Sequence, residues 1–376
     1  MNAPVELKAI EGMFKRQYKQ IEVSFDPEHA IAWTFFKQPG VPCFNLGILN
    51  ELRAHDTAIE ASGGRLLYNG ELHQIRYYVA ASKIKNVFNL GGDLALFVQL
   101  VKSQDRDALM HYAKLCVDNM YPRICNYNSP MTTISLVQGE ALGGGFETAL
   151  SSNVIIAERR ARMGMPEILF NLFPGMGAYS LLGRRIGMKR AEDMILSGRI
   201  YTAQELHEMG VVDLLVEDGA GEAGVRDFVR RNARHRNGMQ AMFSCRQHFQ
   251  RVTYEEMLNI THIWVDAALR LEEKDLKLMS RLVRTQFRRI QGGAAAEIPV
   301  AAEQYETLKD LVHALKGSAV TLGAEQLCRT CVGINAQTTS ELQAGGPRVL
   351  KVVREQFQQA RASLLDYLKK SQSAAR

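Results

Sequence analysis

The run Val137-Gln-Gly-Glu-Ala-Leu-Gly-Gly-Gly-Phe-Glu147 decides how this chain is read. Residues 132–138 (TTISLVQ) have the make-up of a buried strand, and they lead into three consecutive glycines and a helix over 143–151. Glycine at such a turn lets a bound group approach the backbone, and a helix N-terminus presents amides with partial positive charge. The combination suits a carbonyl oxygen that gains negative charge during a reaction. No Lys-Ser/Thr follows, which argues against a nucleotide P-loop. Glu147 lies one turn inside the helix. Twenty residues further on, Met165-Pro166-Glu167 sets a second acid at a Pro-initiated turn, ahead of an apolar Ile-Leu-Phe.

Outward from this segment, strand signals recur at 19–34 (two strands around a Pro-Glu-His turn), 75–84, 153–158 and 211–217. Helical stretches lie between them at 46–61, 94–120, 176–186, 188–197 and 202–209, so the pattern predicts a layered α/β or spiral architecture. From 222 to 290 the pattern is helical, with Met257, Ile260, Ile263, Trp264 and Ala267 at three- and four-residue spacing. Gly292-Gly293-Ala-Ala-Ala296 then reads as a linker. The predicted organisation is a catalytic domain over 1–290 (core 19–220, helical part 222–290), a linker over 291–300, and a helical domain over 301–376 with helices at 301–320, 323–343 and 346–371.

Composition narrows the class. Hydrophobic residues at 46% and charged residues at 23% exclude a disordered or fibrous chain, since that much apolar surface supports a packed core. No run of about 20 apolar residues predicts a membrane span, and the charged first twenty residues lack a signal-peptide core, so a cytoplasmic location is expected. The six cysteines read as reduced, buried thiols; Cys328 and Cys331, without a second pair, make a poor zinc site. No metal or organic cofactor is implied. A net charge of +6 suits an acidic partner such as a carrier protein but does not require one. The five arginines between 226 and 236 read as a solvated helix face, with carrier docking as the alternative and no nucleic-acid role.

The order V-Q-G-x-A-L-G-G-G-F-E, P-E twenty residues on, then F-P-G-M-G, resembles the enoyl-CoA hydratase/isomerase (crotonase) superfamily over residues 20–220. The upstream Val87-Phe-Asn-Leu-Gly-Gly-Asp-Leu94 is similar to its other signature. Within it, 88–94, 171–180 (NLFPGMGAYS) and 263–268 (IWVDAA) resemble diffusible-signal-factor synthases, crotonase-fold enzymes that make cis-2-unsaturated fatty acid signals. Leu90 stands where general hydratases carry Ala or Ser, as it does in the signal synthases. The resemblance implies a ββα-spiral core, Gly92 and Gly144 as oxyanion-hole donors, Glu147 and Glu167 as the acid/base pair, and a homo-oligomer. A pocket walled by Leu169, Phe170, Leu172, Phe173 and Met176 is expected to raise at least one carboxyl pKa by desolvation. These apolar residues, and Trp264, read equally as core and as acyl-tunnel wall; Asp93 and Glu140 read as structural.

In the tail, His313, Lys316 and Gly317 share one helix face at i, i+3 and i+4. The run H-A-L-K-G-S-A, followed by L-G-A, resembles histidine phosphotransfer domains, which makes His313 the phosphoacceptor and Lys316 its neighbour, with a sensor-kinase receiver domain or response regulator as partner. Such domains have a further helix before the His helix; here it comes from 275–290, from another subunit, or not at all. The expected function is dehydration of a 3-hydroxyacyl carrier-protein (or CoA) thioester followed by thioester hydrolysis, giving a cis-2-enoic acid and tied to two-component signalling. The alternatives are an acyl-CoA hydratase or isomerase, and a regulatory protein that binds a receiver domain.

Overall fold

The computed structural model describes residues 17–291, with side chains through Leu282. The predicted linker and tail helices, His313, Lys316, Cys328 and Cys331 lie outside the described residues. The chain divides into two units, Met1–Gly293 and Ala294–Arg376, and the described residues belong to the first.

A six-stranded sheet forms the centre, in the order β1 (Ile21–Asp26), β2 (Ile31–Phe36), β5 (Tyr77–Ser82), β7 (Thr132–Val137), β9 (Val154–Glu158), β12 (Leu214–Val216). β1 and β2 are antiparallel and every other neighbour pair is parallel. Parallel strands need cover on both faces, and β2, β5, β7 and β9 are buried at every position. Alternation sorts their side chains: Tyr77, Val79 and Ala81 join one apolar cluster with Ile134, Leu136, Val225 and Phe243, whereas Tyr78 and Ala80 join the larger one on the other face.

A second sheet of three-residue strands stands beside the first, in the order β11 (Ile200–Thr202), β10 (Arg162–Gly164), β8 (Glu140–Leu142), β6 (Val87–Asn89). Apart from β6, which the resemblance of 87–94 implies, it is absent from the sequence expectations, as is the hairpin β3 (Arg65–Tyr68) and β4 (Glu71–Gln74), because three or four residues cannot show a periodicity. It matters for position: β6 and β8 run parallel and side by side, so the two glycine turns that follow them leave the same edge.

The helices on the larger apolar cluster include α1 (Leu46–Ala61), α2 (Leu94–Lys102), α3 (Arg106–Ile124) and α4 (Gly144–Leu150). The single helix expected over 94–120 is two, because Gln104 takes a positive φ of 53° and Asp105 caps a new helix on the Ala108 amide at 3.0 Å. After α5 (Ala178–Ile186), α6 (Met188–Ser197) and α7 (Ala203–Glu208), the expected run at 222–290 resolves into α8 (Gly221–Asn232), α9 (Arg236–Phe249), α10 (Tyr254–Ala268) and α11 (Glu273–Gln291). Arg226 is no plain solvated residue: it pairs with Asp26 at 3.1 Å and lies over the Trp33 ring. The cysteine expectation also needs correction, since Cys245 is exposed and Cys125 half-buried. Among the described residues, no helix is long and apolar enough to cross a membrane.

Candidate active site

The two glycine segments meet at the end of the small sheet. A Cβ added to Gly144 would lie 3.6 Å from the Gly92 nitrogen, and one added to Gly91 would lie 3.2 Å from the Gly144 nitrogen. The two nitrogens therefore lie close together at one confined spot, and neither donates a hydrogen bond to a described residue. Gly143 has φ +50°, and a Cβ there would overlap the Glu167 carboxylate. Only glycine gives the backbone that turn and the acid that approach.

Glu147 is fully buried on α4. Its Oε1 accepts the Met176 amide at 2.8 Å and the Ala178 amide at 3.0 Å; its Oε2 has no protein partner. Burial pushes its pKa up to about 7, against the pull of those amides, which favour the carboxylate. Glu167 sits on a short 3-10 turn, Pro166–Phe170, that proline starts. Burial, and then the Glu147 charge, raise it to about 8, and its Oε2 is likewise unpartnered. Two acids that repel each other in an apolar setting share a proton over a range near neutrality, the condition for one to act as base while the other acts as acid.

Gly92, Gly144, Glu147 and Glu167 all line a cavity of about 260 Å³. Its apolar wall includes Leu169, Phe170, Leu172, Met176 and Trp264, and all of these but the exposed Leu169 also belong to the buried core, so the two readings of these side chains hold together. Trp264 does both jobs, since it is also 5% exposed and packs edge-on against Phe97 at 5.1 Å. Phe173 is a correction: it packs against the core and is absent from the wall. Asp93 is structural as expected, capping α2 on the Leu96 amide at 3.1 Å, whereas Glu140, expected to be structural, lines the cavity. Phe97, Ile200 and Leu282 also line it and went unremarked in the sequence. Leu282 lies more than a hundred residues from both acids, and only the docking of α11 against α2 and the 3-10 turn brings it in.

Long-range contacts hold the acids in place. The Thr261 hydroxyl donates to the Gly175 carbonyl at 3.2 Å, and Arg184 on α5 pairs with Glu256 on α10 at 2.7 Å. Together they clamp the Trp264 helix onto the loop whose amides hold Glu147.

Comparison with known proteins bears on the family and the fold. Residues 71–256 match the family model described as enoyl-CoA hydratase/isomerase, and residues 269–363 match the Hpt domain. A peroxisomal fatty acid beta-oxidation multifunctional protein of Arabidopsis thaliana is 32% identical over 132 residues, 35% of this chain and 18% of that protein. The fatty acid oxidation complex subunit alpha of Ectopseudomonas oleovorans is 30% identical over 214 residues, 56% of this chain and 26% of that subunit. The matched stretch thus spans about a quarter or less of these curated relatives. Among solved structures, human mitochondrial delta3-delta2-enoyl-CoA isomerase superposes with a TM-score of 0.58 at 18% identity, covering 71% of this chain and 99% of that one. Pseudomonas aeruginosa DspI superposes with a TM-score of 0.52 at 21% identity, covering 72% and 89%. Likeness at that identity shows the fold. The chain therefore carries, over residues 71–256, a domain of the enoyl-CoA hydratase/isomerase (crotonase) family, with a segment that matches the Hpt domain after it.

Proposed function

We propose that this protein dehydrates a 3-hydroxyacyl thioester and then hydrolyses the thioester, releasing a cis-2-unsaturated fatty acid. One observation carries the reading: two glutamates, each with a buried, unpartnered carboxylate oxygen, and two glycines whose amides donate to no described residue line one apolar cavity. Loss of the proton at C2 generates negative charge on the thioester oxygen. The Gly92 and Gly144 amides stabilise that charge, each worth about 10²–10³-fold in rate if one donor's removal is typical. One glutamate takes the C2 proton and the other protonates the departing 3-hydroxyl, a contribution of about 10²–10⁴-fold per transfer. The same pair activates water for attack on the thioester carbonyl, and the same two amides hold the tetrahedral oxyanion. The apolar wall suits an acyl chain, and the net charge of +6 suits an acidic carrier protein.

The Hpt-matching segment supports a link to two-component signalling, with His313 as phosphoacceptor, Lys316 beside it, and a receiver domain or response regulator as donor. Exposed Met242 and Phe249 on α9 support a homo-oligomer. Mass spectrometry of products from 3-hydroxydodecanoyl carrier protein tests the chemistry. Free cis-2-enoic acid is the expected product, abolished in Glu147→Gln and Glu167→Gln. Turnover of acyl-CoA to a bound enoyl or hydroxyacyl thioester, with no free acid, would instead make the chain a hydratase or isomerase.

A further inference from the structure

The loop that carries Gly92 is tied down amide by amide, with one exception. The Leu90 amide donates to the Pro42 carbonyl at 2.8 Å. The Gly91 amide donates to Asn89 Oδ1 at 2.8 Å, and the Asp93 amide to the Tyr112 hydroxyl oxygen at 3.1 Å. Among the described residues, only the Gly92 amide in this run of four lacks an acceptor. The peptide unit it belongs to is held from its other side, because the Gly91 carbonyl accepts the Phe44 amide at 2.8 Å. A trans peptide is planar with its C=O and N–H pointing opposite ways, so a carbonyl anchored on Phe44 turns the Gly92 N–H away from that strand, toward the cavity it lines. Tyr112 closes the arrangement: its hydroxyl also donates to the Phe44 carbonyl, which holds the segment that anchors Gly91.

Both side chains are buried where they hold this loop. Asn89 is fully buried, and its acceptor stabilises the φ of +93° at Gly91 that makes the turn. Tyr112 is 1% exposed, with its ring edge-on to Phe97 at 4.9 Å. We infer that Asn89 and Tyr112 are positioning residues that aim the Gly92 N–H at the carbonyl oxygen of the bound thioester. Neither touches the reacting atoms; each acts through the backbone. The assignment rests on the proposed polarising role of Gly92.

A 4-(dimethylamino)cinnamoyl thioester of CoA tests it, because absorption of such a donor–acceptor chromophore moves to longer wavelength when amides polarise its carbonyl. Wild-type protein is expected to shift the band on binding. Tyr112→Phe and Asn89→Ala are expected to bind the probe within about threefold of wild type and to lose most of the shift. Asn89→Ser, which keeps a hydroxyl acceptor, is expected to restore part of it. In turnover, the two disruptive variants should lose kcat by about 10–100-fold, somewhat less than deletion of an oxyanion donor, with KM and the pH profile unchanged because both glutamates remain. A full shift in both folded variants overturns the positioning role while leaving the oxyanion hole intact. No shift in wild type removes the polarising role of Gly92 itself, and this assignment with it. Should Tyr112→Phe not fold, the Asn89→Ala and Asn89→Ser pair decides.

Discussion

Replacing Glu147 by glutamine should stabilise the fold at alkaline pH while abolishing turnover. In the unfolded chain this carboxyl titrates near its ordinary 4.5; in the folded chain burial raises it to about 7. The folded state therefore holds the proton more tightly, and stability falls as pH rises through that window, with no further change above it. A difference of that size costs about 3 kcal/mol once both states are ionised. Glu167 adds a loss of the same sign that ends near pH 8, part of it caused by the Glu147 charge. Glutamine keeps an oxygen for the Met176 and Ala178 amides, at 2.8 and 3.0 Å, and never ionises. At pH 4, below the unfolded value, the variant should nearly match wild type. At pH 9 it should be more stable by about 3 kcal/mol, or roughly 6 °C at about 2 °C per kcal/mol for a unit of this size. Thermal unfolding followed by circular dichroism at the two pH values measures this. An equal difference at both pH values, or a variant less stable than wild type at pH 9, would refute the account of Glu147 as a buried, destabilising charge held for chemistry.

Turnover by wild type should follow a narrow bell centred between pH 7 and 8, since one proton must be shared by acids raised to about 7 and about 8; a flat profile from pH 5 to 9 counts against the pair. Gly143→Ala should cut kcat at least 100-fold, because a Cβ there displaces the Glu167 carboxylate from a backbone at φ +50°, with melting measured alongside to separate misplacement from unfolding. Arg123→Met should destabilise by about 3–5 kcal/mol in chemical denaturation, since it strips the buried cation from fully buried Asp56 and from three serine hydroxyls it contacts at 2.6–3.0 Å. Incubation with a phosphorylated receiver domain should label the wild-type chain and not His313→Gln; equal label in both would remove His313 as the acceptor.

The glycine turns and the two acids were legible in the sequence because each is a local requirement. A backbone at positive φ beside a close-packed carboxylate needs glycine at 143, and the close approach of Met176 and of the Asn89 backbone needs it at 144 and 145. The long buried strands were equally plain, since cover on both faces favours apolar runs such as Val-Ile-Ile-Ala over 154–157. The three-residue strands of the small sheet left no such trace, although their parallel pairing sets the two glycine turns side by side. Nor did the sequence reveal that Phe173 turns to the core while Phe97, Ile200 and Leu282 reach the cavity. Periodicity tells which residues seek burial and not which apolar surface they meet, because the hydrophobic effect carries no direction. Local chemistry therefore marked the glycine turns and the two glutamates as the candidate site. Packing between elements far apart in the chain decided what walls surround them, how far their protons are raised, and which single amide of the Leu90–Asp93 loop is left to a ligand.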